Sequence, residues 1–281
     1  MNVLKIAAFS DGDAGGNPAG VVIADELPTS TEMQRIAAEV GFSETVFAAE
    51  AGSSWRVRYF SPASEVPFCG HATIALGAAL ALRHGEGAFA LVLNHAEITV
   101  EARRTGNLIL ATLQSPPTRS SPAPALLVSA ALRLFGFTDD DLDPRIPPAL
   151  IHAGADHLVL MLESRRTLAA MKYNFDAGRE LMIQEGWTTV LLGHAETQQR
   201  FNTRNAFAYG GVYEDPATGA ATAAFAGYLR DIRWPHAGAI EVVQGEDMGM
   251  RSCLRAEITP ALGSSIRSPV PRGSFHPERP C

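Results

Sequence analysis

The sequence has few cysteines, no excess of positive charge and no long apolar run, and each absence excludes a class of protein. The three cysteines, Cys69, Cys253 and Cys281, are an odd number without zinc-site spacing, so neither a disulfide framework nor a structural zinc site is expected. The formal net charge of −7 argues against a nucleic-acid or anionic membrane partner. No stretch is apolar enough to span a bilayer, and the first residues lack a signal-peptide pattern. We therefore expect a cytoplasmic protein.

What the chain does contain is typical of globular domains. Its 281 residues, 46% hydrophobic and 19% charged, are enough for two domains of ordinary size. Residues 115–124 are rich in proline and serine and lack a helix or strand period, which predicts a linker. That linker separates an N-terminal domain over residues 1–114 from a C-terminal domain over residues 125–260. Residues 261–281 are predicted to form a tail that is weakly ordered or packs on a domain edge.

One arrangement occurs twice, once in each half. It consists of a strand, an acidic residue, a proline, a loop and a glycine, followed by a helix of small residues. The first copy contains Glu65, Pro67 and Gly70, and the second contains Glu214-Asp215, Pro216 and Gly219. Free backbone N–H groups at a helix start attract anions, so two helix starts that face each other would form a double anion site. The alternative is that such helices recur by chance in an alanine-rich protein.

Four side chains near these helices are candidates for chemistry, and three of them also have a structural interpretation. Glu44 precedes an apolar strand and is either a base with a raised pKa or a solvated turn residue. Cys69 and His71 flank the first helix start, where Cys69 is either reactive or a small buried residue. Asp215 either orients a partner in the cleft or caps the approach to its own helix.

Several motifs, distributed in order from the first residues to about residue 258, carry a resemblance to a known family. They are Gly16-Asn17-Pro18-Ala19-Gly20-Val21, Ser43-Glu44-Thr45, Tyr59-Phe60-Ser61-Pro62, Pro67-Phe68-Cys69-Gly70-His71-Ala72-Thr73, Glu214-Asp215-Pro216-Ala217-Thr218-Gly219, and Gln244-Gly245 with Met248-Gly249. The sequence resembles the PhzF-like family, named for a phenazine-biosynthesis isomerase, within the diaminopimelate-epimerase-like fold. The resemblance implies an α+β protein with two pseudo-symmetric domains, each a barrel-like, mostly antiparallel sheet around a central helix. It also implies a homodimer without metal or organic cofactor.

The resemblance further implies a reaction and the residues that perform it. Glu44 matches the family's catalytic acid/base, and His71 and Asp215 match its polar partners in the cleft. The implied reaction moves a proton on a small carboxylate-bearing substrate, amino-acid-like or a cyclic diene, by a double-bond shift or an epimerisation. The backbone at Gly70-His71 and at Gly219-Ala220 would hold the substrate carboxylate. Cys69 and Asn17 belong to the same motifs and are further candidates for substrate binding.

The sequence departs from the family pattern at three places. Ala220 stands where the phenazine enzyme has a serine, which puts the phenazine substrate in doubt. Met250-Arg251 interrupts a run that is usually Gly-Arg-Pro-Ser, and the tail, with Pro269, Pro271 and Pro277, does not resemble a final strand.

Two other functions stay open at this point. Racemases of this fold use two facing cysteines, but the residue that matches Cys69 in the second copy is Thr218, which argues against a two-cysteine racemase. The second alternative is a non-catalytic protein that binds a small ligand.

Overall fold

The computed structural model describes residues 2–10, 15–105 and 108–269. The helices in these ranges are α1 (Ser30–Val40), α2 (Gly70–His84), α3 (Ala125–Phe135), α4 (Arg165–Ala169), α5 (Phe175–Glu185) and α6 (Gly219–Asp231). The strands of the N-terminal half are β1 (Leu4–Ala8), β2 (Asn17–Ala24), β3 (Thr45–Ala51), β4 (Ser54–Phe60), β5 (Glu65–Val66), β6 (Gly87–Val92), β7 (Glu97–Thr105) and β8 (Leu108–Gln114). The later strands are β9 (Arg119–Pro122), β10 (Ala149–His152), β11 (Asp156–Met161), β12 (Thr189–Ala195), β13 (Arg200–Ala206), β14 (Glu214–Asp215), β15 (Ala239–Gln244), β16 (Ser252–Glu257) and β17 (Arg267–Pro269). None of the helices in the described ranges is long and apolar enough to cross a membrane.

The two halves pair their strands in the same order and directions. The strand order in the first half is β1-β2-β3-β4-β6-β7-β8. The pairs β1–β2, β3–β4, β6–β7 and β7–β8 are antiparallel, and the pairs β2–β3 and β4–β6 are parallel. The series β10-β11-β12-β13-β15-β16-β17 repeats those directions step by step. The short strands β5 and β14 also match, since each pairs antiparallel with the strand before it. The internal repeat and the mixed α+β fold are therefore confirmed.

Each repeat is wrapped around one central helix. In α2 every residue from Gly70 to Leu80 is buried, and α6 is buried from Ala221 to Arg230. Small residues allow this because they let a sheet approach a helix closely on all sides. A Cβ on Gly77 would lie 2.6 Å from Val100 Cγ2 in β7, so a larger residue there would push the sheet away.

The segment before β3 fixes the position of Glu44. The predicted helix α1 has its predicted cap, since Thr29 Oγ1 accepts a hydrogen bond from the backbone N–H of Glu32. It ends at Gly41, whose φ of 71° is left-handed and favours glycine. The chain then turns directly into β3, so Glu44 lies at the entry to a buried strand.

The predicted linker and tail both contain strands. Residues 119–122, inside the segment predicted to lack strand structure, form β9, which pairs antiparallel with β10. This short strand is mostly exposed and polar, so its sequence carries no hydrophobic alternation, and its backbone ladder to β10 supplies the order. In the tail, β17 pairs antiparallel with both β16 and β8, which joins the sheets of the two halves. Residues 270–281, with Pro271, Pro277 and Cys281, lie outside the described residues.

Candidate functional site

The starts of the two central helices meet at the junction of the two halves. A Cβ built on Gly70 would lie 3.4 Å from the backbone N of Ala220 and 3.6 Å from Cα of Gly219. The first backbone N–H groups of a helix have no acceptor within that helix and lie at the positive end of its dipole. The first turns of α2 and α6 therefore present N–H groups to a shared space, as the sequence repeat predicted.

A strained residue supports one of these helix starts. Phe9 is buried with a φ of 61°, a left-handed conformation that is rare for a bulky side chain. Its backbone oxygen accepts a hydrogen bond from the N–H of Cys253 at 3.0 Å. The ring lies against the start of α6, because a Cβ on Gly219 would come within 3.3 Å of Phe9 Cζ. Phe9 thus holds the second helix start from the N-terminal half.

Glu44 is a buried carboxyl group with one oxygen that lacks a hydrogen-bond partner. Its exposed fraction is 4%, and Oε2 has no partner of good geometry among the described residues. The nearest basic atom is Nε2 of His71 at 3.4 Å, which is too long for a strong hydrogen bond. Burial, followed by repulsion from Asp215, raises the pKa of Glu44 to about 8. The side chain is therefore a carboxyl group whose proton is exchangeable near neutral pH.

His71 is neutral, and its neighbours fix the position of its proton. Burial lowers the pKa of its imidazole to about 3, so the ring carries one proton at neutral pH. Nδ1 lies 3.2 Å from Sγ of Cys69 and 3.2 Å from the amide nitrogen of Asn17. The two hydrogens of that amide go to closer acceptors, Asp215 Oδ1 at 2.6 Å and the Ala217 oxygen at 2.9 Å, so the donor to Nδ1 is the thiol of Cys69. Nδ1 is therefore the acceptor, and the proton resides on Nε2. Nε2 lies 3.4 Å from the open oxygen of Glu44, without the geometry of a hydrogen bond, and 3.4 Å from Oγ of Ser43.

Cys69 contacts the same group and is not only a packing residue. Burial, together with the negative charge of Glu44, raises the pKa of its thiol well above the usual range, so it is present as S–H. A thiol in this state donates a hydrogen bond to His71 but is a poor nucleophile or base. Ligand atoms of Glu44, Cys69 and His71 all lie within 4.8 Å of one another, so this trio has the geometry to hold a metal ion once the thiol loses its proton.

Asp215 comes from the second repeat and is held by an extensive hydrogen-bond network. Its Oδ1 accepts from Asn17 Nδ2 at 2.6 Å, and its Oδ2 accepts from the hydroxyl of Thr218, also at 2.6 Å. The amide of Gln244 fixes both neighbours, since it donates to the backbone oxygen of Asp215 at 2.6 Å and to Thr218 Oγ1 at 3.0 Å. Burial raises the pKa of Asp215 to about 7 in spite of these hydrogen bonds.

Asn17 connects the two halves behind the site. Besides Asp215 and His71, its amide nitrogen reaches the backbone oxygen of Ala217 at 2.9 Å. The side chain is 1% exposed and does not contribute to the wall of the central cavity. Its geometry is that of a positioning residue, which orients a histidine from one repeat and an aspartate from the other.

A small cavity lies between these groups. Its wall includes Glu44, Cys69, Gly70 and His71 from one half and Asp215, Thr218, Gly219 and Ala220 from the other. The space open to the centres of water-sized molecules is about 30 Å³, enough for one or two waters. The structure therefore brings together every candidate residue of the sequence analysis, with Asn17 just behind the wall, in a closed arrangement.

Other residues of the site did not emerge from the sequence. His157, Thr189 and Phe207 line the same cavity but belong to strands or loops without a recognisable motif. Gln244 belongs to a motif, but its role is visible only from its contacts with Asp215 and Thr218. A buried histidine at the start of an apolar strand was the one available signal, at His157.

The arrangement is suited to moving protons without forming a covalent intermediate. Glu44 and Asp215 are two buried carboxyl groups with raised pKa values, so both protonation states of the pair are accessible near neutral pH. The helix starts supply dipoles for a negative group, and the neutral imidazole supplies a fixed donor. Such a site can accept a proton from one atom of a bound anion and return it to another.

Comparison with known proteins agrees with this description. Residues 6–268 match the family model described as phenazine biosynthesis-like protein. An uncharacterized isomerase from Deinococcus radiodurans is 31% identical over 269 residues, which are 90% of this chain and 85% of that protein. The trans-2,3-dihydro-3-hydroxyanthranilate isomerase of Pseudomonas fluorescens is 28% identical, over 91% of this chain and 90% of that protein. A solved structure described as a predicted epimerase from Pseudomonas aeruginosa has the same fold, with a TM-score of 0.85 and 22% identity over 99% of this chain and 96% of that one. The chain belongs to the phenazine biosynthesis-like family and is an isomerase of that family.

Proposed function

We propose that the protein shifts a proton within a small carboxylate-bearing substrate, amino-acid-like or a cyclic diene, with Glu44 as the acid/base. The observation that carries this proposal is the unpaired oxygen of Glu44, buried beside two facing helix starts. An unpaired buried polar atom costs about 1–3 kcal/mol, and native proteins seldom retain one without a use. A substrate bound with a C–H group against this oxygen would give the oxygen a use as the proton acceptor.

The proposed step needs no external oxidant or reductant. Glu44, in its ionised form, takes a proton from an sp³ carbon of the substrate, and the C–H electron pair moves into the adjacent π-system. For a double-bond shift, the same carboxyl group gives a proton to a different carbon, and exchange of the carboxyl proton with D₂O carries deuterium to that carbon. For an epimerisation, Glu44 keeps the proton it has taken, and a second acid, for which Asp215 is the candidate, gives a proton to the opposite face. In this proposal the neutral ring of His71 lies beside the Glu44 oxygen, with Nε2 at 3.4 Å, and Asp215 holds or receives a proton from a polar group of the substrate.

The substrate carboxylate would bind at the helix starts after the two halves have moved apart, since the closed cavity has room for only one or two waters. The proposed donors are the backbone N–H groups of Gly70, His71, Gly219 and Ala220 in the first turns of the two helices, and they would stabilise negative charge that develops on the substrate as the proton leaves. Alanine in place of serine at position 220 removes a hydroxyl but keeps the backbone N–H. The anion-binding part of the proposal is therefore unaffected, whereas contacts to other substrate groups differ from those of a serine-containing relative.

The two alternative functions receive less support. A racemase that uses Cys69 needs a thiolate and a second base opposite, but the thiol pKa is raised and Thr218 occupies the matching position. A non-catalytic binding protein has no need to keep two carboxyl groups buried with raised pKa values, since their desolvation opposes folding.

We also propose that the protein works without a metal or organic cofactor, in the cytoplasm, and as a homodimer, as its family resemblance implies. Activity after dialysis against EDTA checks the first point. Light scattering on the purified protein checks the last, and a monomer with full activity would contradict it.

Solvent-deuterium incorporation tests the proposal directly. The probe is trans-2,3-dihydro-3-hydroxyanthranilate, the substrate in the name of the Pseudomonas fluorescens relative, incubated with the protein in D₂O and followed by NMR. We expect deuterium at carbon with the wild type, and a loss of at least about 10³-fold with Glu44→Gln, since the amide cannot accept the proton. Glu50→Gln, at an exposed glutamate of β3, is the matched control and keeps the wild-type rate. Equal incorporation by wild type and Glu44→Gln would overturn the assignment of Glu44.

A further inference from the structure

One wall of the cavity carries a second unpaired buried atom, on a residue that the proposed proton transfer does not use. His157 is fully buried at the start of β11, and its Nε2 has no hydrogen-bond partner among the described residues. His157 is part of the cavity wall, together with Glu44 and the two helix starts. Side chains of a strand alternate between its two faces, so His157, Val159 and Met161 lie on one face of β11. Val159 and Met161 belong to the core around the central helices, whereas Leu158 and Leu160 belong to another core cluster, so His157 faces the central helices.

A chain of hydrogen bonds across three strands holds the imidazole in one tautomer. Nδ1 lies 2.8 Å from Oγ1 of Thr189, its partner residue in the parallel pair β11–β12. With the amide of Asn205 in β13 turned so that Oδ1 faces β12, the Thr189 hydroxyl donates to Oδ1 at 3.1 Å, and Nδ2 of Asn205 has no hydrogen-bond partner among the described residues. A hydroxyl has one hydrogen, so once Thr189 donates to Asn205 it accepts from His157. The ring proton is therefore on Nδ1, and Nε2 is a bare acceptor.

We propose that His157 Nε2 is a specificity-determining acceptor for an N–H or O–H group of the substrate, held in that state by Thr189 and Asn205. The proposal rests on the proposed function, since it names a second feature of the same substrate besides its carboxylate. The ligand class is a small carboxylate with an amino or hydroxyl donor on a neighbouring carbon.

The protonation state of the two histidines of the cavity gives them opposite roles. Burial lowers the pKa of His157 to about 3, so its ring stays neutral at neutral pH. His71 presents an N–H to the cavity side, whereas His157 presents a lone pair. A ligand with only a donor would pair with His157 Nε2 and leave the helix starts without an anion. A ligand with only a carboxylate would bind the helix starts and leave His157 Nε2 unpaired. Sites built to bind a polar group discriminate strongly against analogues that lack it, because the buried partner is left without a hydrogen bond.

The first test measures the tautomer without any ligand. Nitrogen-15 NMR of the full chain labelled at histidine distinguishes a protonated ring nitrogen from a bare one by chemical shift, and His157→Gln assigns the signal. We expect a protonated Nδ1 and a bare Nε2. Thr189→Val removes the acceptor of Nδ1–H and should shift the ring proton from Nδ1 to Nε2. The control is Thr197→Val, at an exposed threonine outside the cavity wall, which should leave the pattern unchanged. A wild-type signal with protonated Nε2 overturns the proposal.

The second test measures ligand choice by calorimetry with three probes: benzoate, anthranilate and 2-hydroxybenzoate. Benzoate has only the carboxylate, and the other two add an amino or a hydroxyl donor. We expect His157→Leu to weaken at least one donor-bearing probe by about 10- to 100-fold and benzoate by less than about 3-fold, with partial recovery in His157→Gln, whose amide oxygen is an acceptor. Equal losses for all three probes, or none, overturn the proposal.

The two tests separate this proposal from the proposed function. If Glu44→Gln exchanges deuterium like the wild type, the acid/base assignment of Glu44 fails. The tautomer measurement and the ligand series still test the role of His157, because neither uses the deuterium assay. If the tautomer is wrong but Glu44→Gln is inactive, only the role of His157 fails.

Discussion

Replacing Glu44 with glutamine should change how stability depends on pH, and this can be measured without knowing the substrate. The pKa of Glu44 rises from 4.5 to about 8 on folding because the carboxylate loses its hydration. A carboxyl group with a raised pKa in the folded state stabilises the fold while it is protonated in both states, below about pH 4.5. This contribution is lost as the pH rises through 8, since the unfolded chain ionises freely and the folded chain does not.

The size of the effect follows from the pKa difference. A shift from 4.5 to about 8 corresponds to about 5 kcal/mol if Glu44 titrated alone. Asp215 titrates in the same environment, and removing one charge eases the ionisation of the other, so the contributions are not additive. We therefore expect the wild type to lose about 2–3 kcal/mol more than Glu44→Gln between pH 5 and pH 8.5.

Urea unfolding at a series of pH values provides the assay. The free energy of unfolding is determined for the wild type, Glu44→Gln and the exposed control Glu50→Gln at each pH. Any pH-independent cost of placing an amide in the site cancels when the slopes are compared. From pH 5 to pH 8.5 the free energy of unfolding should fall more steeply for the wild type than for Glu44→Gln. The curve of the control should run parallel to that of the wild type. Parallel curves for all three proteins would show that Glu44 titrates like an exposed glutamate, which would refute the buried-base reasoning.

Three further predictions concern other parts of the site. Cys69→Ala should keep activity within about 10-fold in the deuterium assay, because a protonated thiol only donates a hydrogen bond, and a loss above about 10³-fold would identify it as an acid/base. EDTA should leave the rate unchanged, whereas added Zn²⁺ should inhibit by displacing the thiol proton and binding Glu44, Cys69 and His71, and Cys69→Ala should be less sensitive. Gly245→Ala should lower the free energy of unfolding by more than about 1 kcal/mol in urea titration, because φ is 74° and the new Cβ would lie 2.5 Å from the Met250 oxygen; an unchanged midpoint would contradict this strain.

The sequence predicted the parts of this site that repeat or lie close together along the chain. The two helix entries share their pattern, so the facing of Gly70 and Gly219 followed from the pseudo-symmetry and is confirmed. Glu44 was predicted at a strand entry because the cap, helix and Gly41 stop of α1 are local signals. These features depend on residues a few positions apart, which is the range over which capping and periodicity act.

The rest depends on contacts between distant residues. Asn17 and Asp215 form a hydrogen bond although they are 198 positions apart in the sequence. The sequence around either residue does not identify the other as its partner. His157, Thr189 and Asn205 become a chain only after three strands are placed side by side in register. Strand β9 is polar and exposed, so its order comes from pairing and not from its own sequence.

The pairing of β17 with β8 has a consequence for the order in which the protein is made. Strand β8 ends at Gln114, and its partner residue Arg267 is synthesised more than a hundred residues later. The first repeat therefore leaves the ribosome with an unpaired sheet edge at β8, and long-range pairing of this kind is slow and exposes the chain to aggregation. The site has the same dependence, since Glu44 meets Asp215 only after α6 has docked. A nascent or truncated chain consequently has Glu44 without the opposing helix start, and isomerase activity should appear only at the last stage of folding.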